Sequence, residues 1–77
     1  MKNQKTEQDY GAEYAEEMVG TGQVDAGGEV DVEVMVCGLT SMPDGDYRAM
    51  QAAGIANPDA RQYWRGYNQR MATMVAK

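Results

Sequence analysis

The segment from Asn57 to Lys77 constrains this chain most, because it is the only stretch both long enough and apolar enough on one face to anchor a core. Asn57 suits an N-cap, Pro58 the first helical position and Asp59 the positive end of a helix dipole. Beyond them Ala60, Tyr63, Trp64, Tyr67, Met71, Met74 and Val75 recur at intervals of three and four. At about 100° per residue these side chains fall on one stripe roughly 120° wide. Arg61, Arg65, Asn68, Gln69 and Ala72 occupy the other side. Gly66 costs a helix about 1 kcal/mol relative to alanine, so its place among the aromatic residues predicts the close approach of another backbone. The pattern predicts a helix over about 58–75, with Trp64 buried beside Tyr63, Tyr67 and residues of an N-terminal helix such as Tyr14.

That N-terminal helix announces itself after a polar start at 1–5 that reads as frayed. Thr6 with Asp9 three residues on is a capping pattern, and Tyr10, Tyr14 and Met18 then repeat every four residues, widened by Ala15 and Val19. Asp9, Glu13, Glu16 and Glu17 gather on the opposite side, and Gly20 marks the end of a helix over about 7–19. Glycines 20, 22, 27 and 28 make a loop or hairpin tip, with a short strand possible over 23–26. Val30, Val32, Val34 and Val36 alternate with Asp31, Glu33, Met35 and Cys37, a strict period of two in good β-formers, which predicts a strand over about 30–37. A lone strand leaves both edges unpaired. It therefore calls for a partner in residues 23–26, in a second copy of the chain, or in the sheet of another protein. Gly38 and Leu39 close the strand. Ser41 with Asp44 then forms a second capping pattern, Pro43 fits the first turn, and a helix over about 42–53 follows with Met42, Ala49, Met50 and Ala53 inward and Gly54 as its stop. The sum is a small single domain over 1–77 of the α+β class: helix, strand or hairpin, and two C-terminal helices.

The core available to this domain is thin. Phe is absent, Leu39 and Ile55 stand alone, and seven Val, seven Met, five Tyr and Trp64 supply most of the apolar bulk. A chain of this size buries only about 60% of its unfolded surface, and methionine specifies shape poorly, so homodimerisation or a partner would help. Cys37 is the only cysteine and there is no histidine. A reducing cytoplasm is the simplest home for such a chain. Met1 to Asp9 lacks the apolar run of a signal peptide, and no segment approaches the roughly 20 apolar residues that cross a membrane.

Charge is the feature with most functional content. Residues 1–46 hold Lys2 and Lys5 against eleven acids, a balance of −9, whereas residues 47–77 hold five bases against Asp59, a balance of +4. No base lies between Thr6 and Asp46. The halves either neutralise each other across the fold or offer the acidic half to a basic partner. A catalytic constellation does not emerge: the glycines lack the spacing and the lysine of a phosphate loop, Asp25, Glu29, Asp31 and Glu33 do not match the calcium-loop pattern, and Cys37 has no base to activate it. We therefore expect no enzyme, no cofactor and no metal. Arg48, Arg61, Arg65 and Arg70 interleaved with aromatics are the only nucleic-acid candidates, and the acidic half argues against direct nucleic-acid binding.

From Val30 onward the order of strand, helix, Gly-containing turn and longer helix resembles the ribbon-helix-helix dimers. That resemblance implies a homodimeric regulator with paired strands at its centre, whose outward residues here would be Asp31, Glu33 and Met35. Acids in those places are wrong for base edges and phosphates. The leading expectation is an acidic protein-binding module, with Glu13, Glu16, Glu17, Asp31 and Glu33 docking on a basic, nucleic-acid-binding surface of a larger protein or complex. Small acidic proteins of phages and mobile elements, including nucleic-acid mimics and anti-CRISPR inhibitors, act in this manner. The other expectations are the homodimeric regulator and a small structural subunit of an assembly.

Overall fold

The computed structural model describes residues 5–37 and 42–74, and every regular element among them is helical: α1 (Glu7–Gly20), α2 (Val32–Cys37), α3 (Asp44–Ala52) and α4 (Ala60–Met74). Helix α1 begins where its sequence says it should. The Thr6 hydroxyl accepts from the Asp9 amide while the Asp9 carboxylate accepts from the Thr6 amide, a complete capping box. Its stop lies two residues beyond the expected Gly20. Gly22 takes φ +79°, its amide donates to the Val19 carbonyl, and the Gln23 amide donates to the Met18 carbonyl, which is a Schellman closure. Helix α3 ends the same way at Gly54, with φ +103° and the Ile55 amide donating to the Met50 carbonyl. At its other end Pro43 stands at the cap position with no side-chain hydrogen bond, and the Ser41 of the expected cap lies outside the described residues.

Helices α1 and α4 form the main contact of the fold, and they run in the same sense. The Glu7 carboxylate accepts from the Asp59 amide at one end, and Glu16 meets Arg70 towards the other. Between these points the backbones nearly touch. A Cβ on Gly11 would sit 1.9 Å from the Tyr63 carbonyl oxygen, and one on Gly66 would sit 2.1 Å from the Gln8 carbonyl oxygen. Hydrogen is thus the only side chain that fits at either position, and the approach expected at Gly66 has Gly11 as its counterpart. Two parallel helices also place two positive dipole ends together, and Glu7, Asp9 and Asp59 surround them with negative charge.

The core sits along this seam. Tyr10, Ala15, Met50, Tyr63, Trp64, Tyr67 and Met71 are buried, with Trp64 only 4% exposed. Trp64 meets Tyr63, Tyr67 and Tyr14 edge-on, at centroid separations of 4.9, 5.2 and 6.1 Å. These are the favoured tilted geometries for aromatic pairs. The stripe read from Ala60 to Met74 is the buried side of α4, whereas Val75 lies outside the described residues, as do residues 1–4. Trp64 Nε1 is buried without a hydrogen-bond partner among the described residues, a cost of about 1–3 kcal/mol that the aromatic packing has to exceed. The start of α4 differs from expectation by two residues. Asp59, not Asn57, is the cap: its carbonyl accepts from the Tyr63 amide and its carboxylate from the Arg61 amide.

The α+β class is overturned. Among the described residues there is no strand: 23–26 belongs to the loop after α1, and Val32–Cys37 is a six-residue helix. The reason is the one that made a lone strand awkward. No second strand is present to pair with it, and a helix satisfies its own backbone groups. Asp31 starts the turn, its carboxylate accepting from the amides of Glu33 (3.0 Å) and Val34 (3.3 Å) and its carbonyl from Met35. The alternation of valines then becomes a partial stripe: Val32, Met35 and Val36 are half-buried, and Val34 is 61% exposed. The ribbon of a ribbon-helix-helix dimer has no counterpart here. One further correction concerns α3, where Met50 alone is fully buried, Met42 is half-buried, and Ala49 and Ala53 are exposed.

Candidate functional site

The acidic residues singled out from sequence occupy two separate places. Glu13, Glu16 and Glu17 project from the side of α1 that faces away from the core, and Asp9 extends the same stripe. Asp31 and Glu33 lie at the start of α2. Helices α1 and α2 each pack against α4, and not against each other. Arg70, which meets Glu16 of α1, and Arg61, which meets Glu33 of α2, are nine residues apart on α4, or about half a turn out of phase at 100° per residue. The five acids therefore flank α4 on opposite sides and do not form one continuous patch.

Within each place the acids differ in what they already hold. Glu13 accepts from the Lys5 ammonium at 2.6 Å, and Lys5 also lies 4.2 Å from the centre of the Tyr10 ring. The hydrogen bond to Glu13 raises the Lys5 pKa above its ordinary value. Glu16 lies 2.6 Å from Arg70 Nε, although the N–H is not aimed at that oxygen, so the contact is an ion pair and not a hydrogen bond. Glu33 accepts from the Arg61 guanidinium, and this bond raises the arginine's pKa. Asp31 is occupied as the cap of α2. Glu17 has no side-chain partner among the described residues, and the same holds for Asp25 and Glu29 in the loop between α1 and α2. These ion pairs are partly exposed to solvent, and such pairs stabilise by about 0–1 kcal/mol each. They reduce the net field of the acidic half without removing it.

Two features were missed in the sequence. An open groove of about 230 Å³ lies between α1 and α4, lined by Gln8, Asp9, Ala12, Gly66, Gln69 and Arg70 among others. Its walls include Gly66 and Ala12, which carry little or no side chain. The second is a partly buried link between α3 and α4, in which the Tyr63 hydroxyl donates to Asp46 at 2.6 Å. Burial first, then the hydrogen bond to Asp46, drives the Tyr63 pKa far above the normal tyrosine range, and burial likewise raises that of Tyr67. Capping patterns marked Asp9 and Asp44 as structural from sequence, and its place at a helix start marked Asp59; nothing local marks Asp46 as a partner of Tyr63. The described residues contain no group of acids and thiols arranged to hold a metal ion, and no helix long and apolar enough to cross a membrane.

No family model, no curated protein and no solved structure matches this chain.

Proposed function

We propose that the chain is a non-catalytic, cytoplasmic protein-binding module, which uses the acidic stripe of α1 to dock on a basic surface of a larger protein or complex. A surface that normally receives nucleic acid is the best chemical match, and the role would be that of an inhibitor or modulator of the phage or mobile-element type. The observation that carries the reading is the position of the acids on α1. Glu17 lies in its last turn, Glu13 and Glu16 just before it, and no base lies in that turn. A carboxylate at the negative end of a helix dipole costs about 0.3–1 kcal/mol, so this placement works against the fold and is better accounted for by binding. The exposed acids Asp25 and Glu29, without a side-chain partner among the described residues, follow directly in the next loop.

The test is charge reversal with two readouts. Glu17→Lys, alone and with Glu13→Lys, should leave the melting temperature unchanged or slightly raised, because the lysine suits the helix end. Affinity for a partner captured from host lysate should fall, and added salt should weaken wild-type binding as the Debye length drops to about 8 Å at physiological ionic strength. A lower melting temperature with unchanged capture would overturn the proposal.

A further inference from the structure

The segment from Val30 to Cys37 is attached to the rest of the fold by few and separable bonds. Helix α2 has six residues, none of them buried, and a helix of that length cannot sustain itself without tertiary support. The backbone just before it is held to α4 by one side chain. The Asn68 carboxamide accepts from the Val30 amide and donates to the Val30 carbonyl, both at 2.8 Å, so it pairs with this backbone as a neighbouring strand would. The exposed Glu33 to Arg61 ion pair adds a contact that salt screens. Asp31 closes the first turn from within the segment. Apolar contact comes from Val30, Val32 and Met35, each only partly buried against the aromatic core, while Val34 points to solvent.

We infer that residues 30–37 form a strap that opens as a unit while α1 and α4 stay packed, and that Asn68 is its latch. Opening uncovers Val30, Val32 and Met35 and the flank of the core they cover, an apolar surface that the closed molecule keeps from solvent. Nothing in the α1–α4 seam has to move for this to happen, because the seam is closed by Gly11, Gly66 and the aromatic cluster, none of which belongs to the strap.

Hydrogen exchange on the full-length chain tests the inference residue by residue. In the wild type, the amides of Met35, Val36 and Cys37 should exchange at least about a hundredfold faster than those of Tyr67 and Met71, after correction for intrinsic rates, since local openings range from near zero to the global unfolding free energy. Asn68→Ala removes both latch bonds and should speed exchange in the strap by about a further tenfold, leaving α1 and α4 unchanged. Asp31→Ala, at an exposed position that touches only the strap's own amides, should act in the same direction if the Asn68 variant folds poorly. The strap is refuted if its amides are as protected as those of Tyr67 and Met71. It is equally refuted if loss of the latch accelerates all helices together, because the segment would then open only with the whole fold.

Discussion

The two packings on α4 are built on opposite principles. Against α1, α4 brings backbone to backbone through two glycines and fills the sides with four aromatic rings, so any change of shape meets a rigid neighbour. Against residues 30–37 it offers one carboxamide and one ion pair, and the half-buried Val30, Val32 and Met35 add apolar contact with the core. Contact of the first kind sets the fold and leaves little room for alternatives. Contact of the second kind is short of buried area and rests on polar groups that water can replace. A domain with a thin core can thus be firm along one line and loosely fastened elsewhere.

The largest effect should come from the firm side. Trp64→Ala removes the ring shared by three aromatic contacts and should cost about 3–5 kcal/mol, close to the whole stability of a chain this small. Chemical denaturation would show it as a collapse of the transition midpoint. A Trp64 emission maximum typical of a solvated indole in the wild type would contradict the seam itself.

Next in size is a test that pits geometry against propensity. Helix propensity alone gives Gly66→Ala about 1 kcal/mol of added stability, whereas the clash with the Gln8 backbone should make it destabilising by about 1–3 kcal/mol. Gly20→Ala is the control, since a Cβ there meets nothing within 4 Å. It should stabilise α1 by about 0.5–1 kcal/mol. Denaturation midpoints of opposite sign in these two variants would establish the close crossing; equal signs would dissolve it.

The smallest effect is a titration of the seam. Tyr63 and Tyr67 have raised folded-state pKa values, so the folded chain holds their protons more tightly than the unfolded chain does. Their contribution is intact below the ordinary tyrosine pKa of about 10, and above it the unfolded tyrosines ionise first. Stability should then fall by about 1.4 kcal/mol per pH unit for Tyr63 until the folded hydroxyl itself ionises. Urea midpoints between pH 9 and 11 would record the slope, and Tyr63→Phe should make it shallower. A wild-type midpoint flat across that range would show that Tyr63 is not sealed from water.

The same contrast explains what could be read from residues alone. The long helices were legible because their buried faces repeat over several turns: Tyr10, Tyr14 and Met18 in one, Tyr63, Trp64, Tyr67 and Met71 in the other. The Thr6 to Asp9 box was legible because it is complete within four residues. Val30 to Val36 misled because seven residues with alternating valines carry a strand pattern, and the Asn68 carboxamide that holds Val30 lies thirty-eight positions away. The acidic site was legible as composition but not as arrangement. Nothing in the spacing of Glu16 and Glu33 says that their arginines stand half a turn apart on another helix.

The paired glycines have a consequence for descent. Exposed residues on the outer side of α1 meet no rigid neighbour, so substitutions there leave the packing of the fold unchanged. Gly11 and Gly66 have no such freedom, because a methyl group at either meets the opposing main chain. Distant kin of this chain should therefore be recognisable by two glycines, each in a helix carrying aromatic residues, long after the surrounding letters have ceased to align.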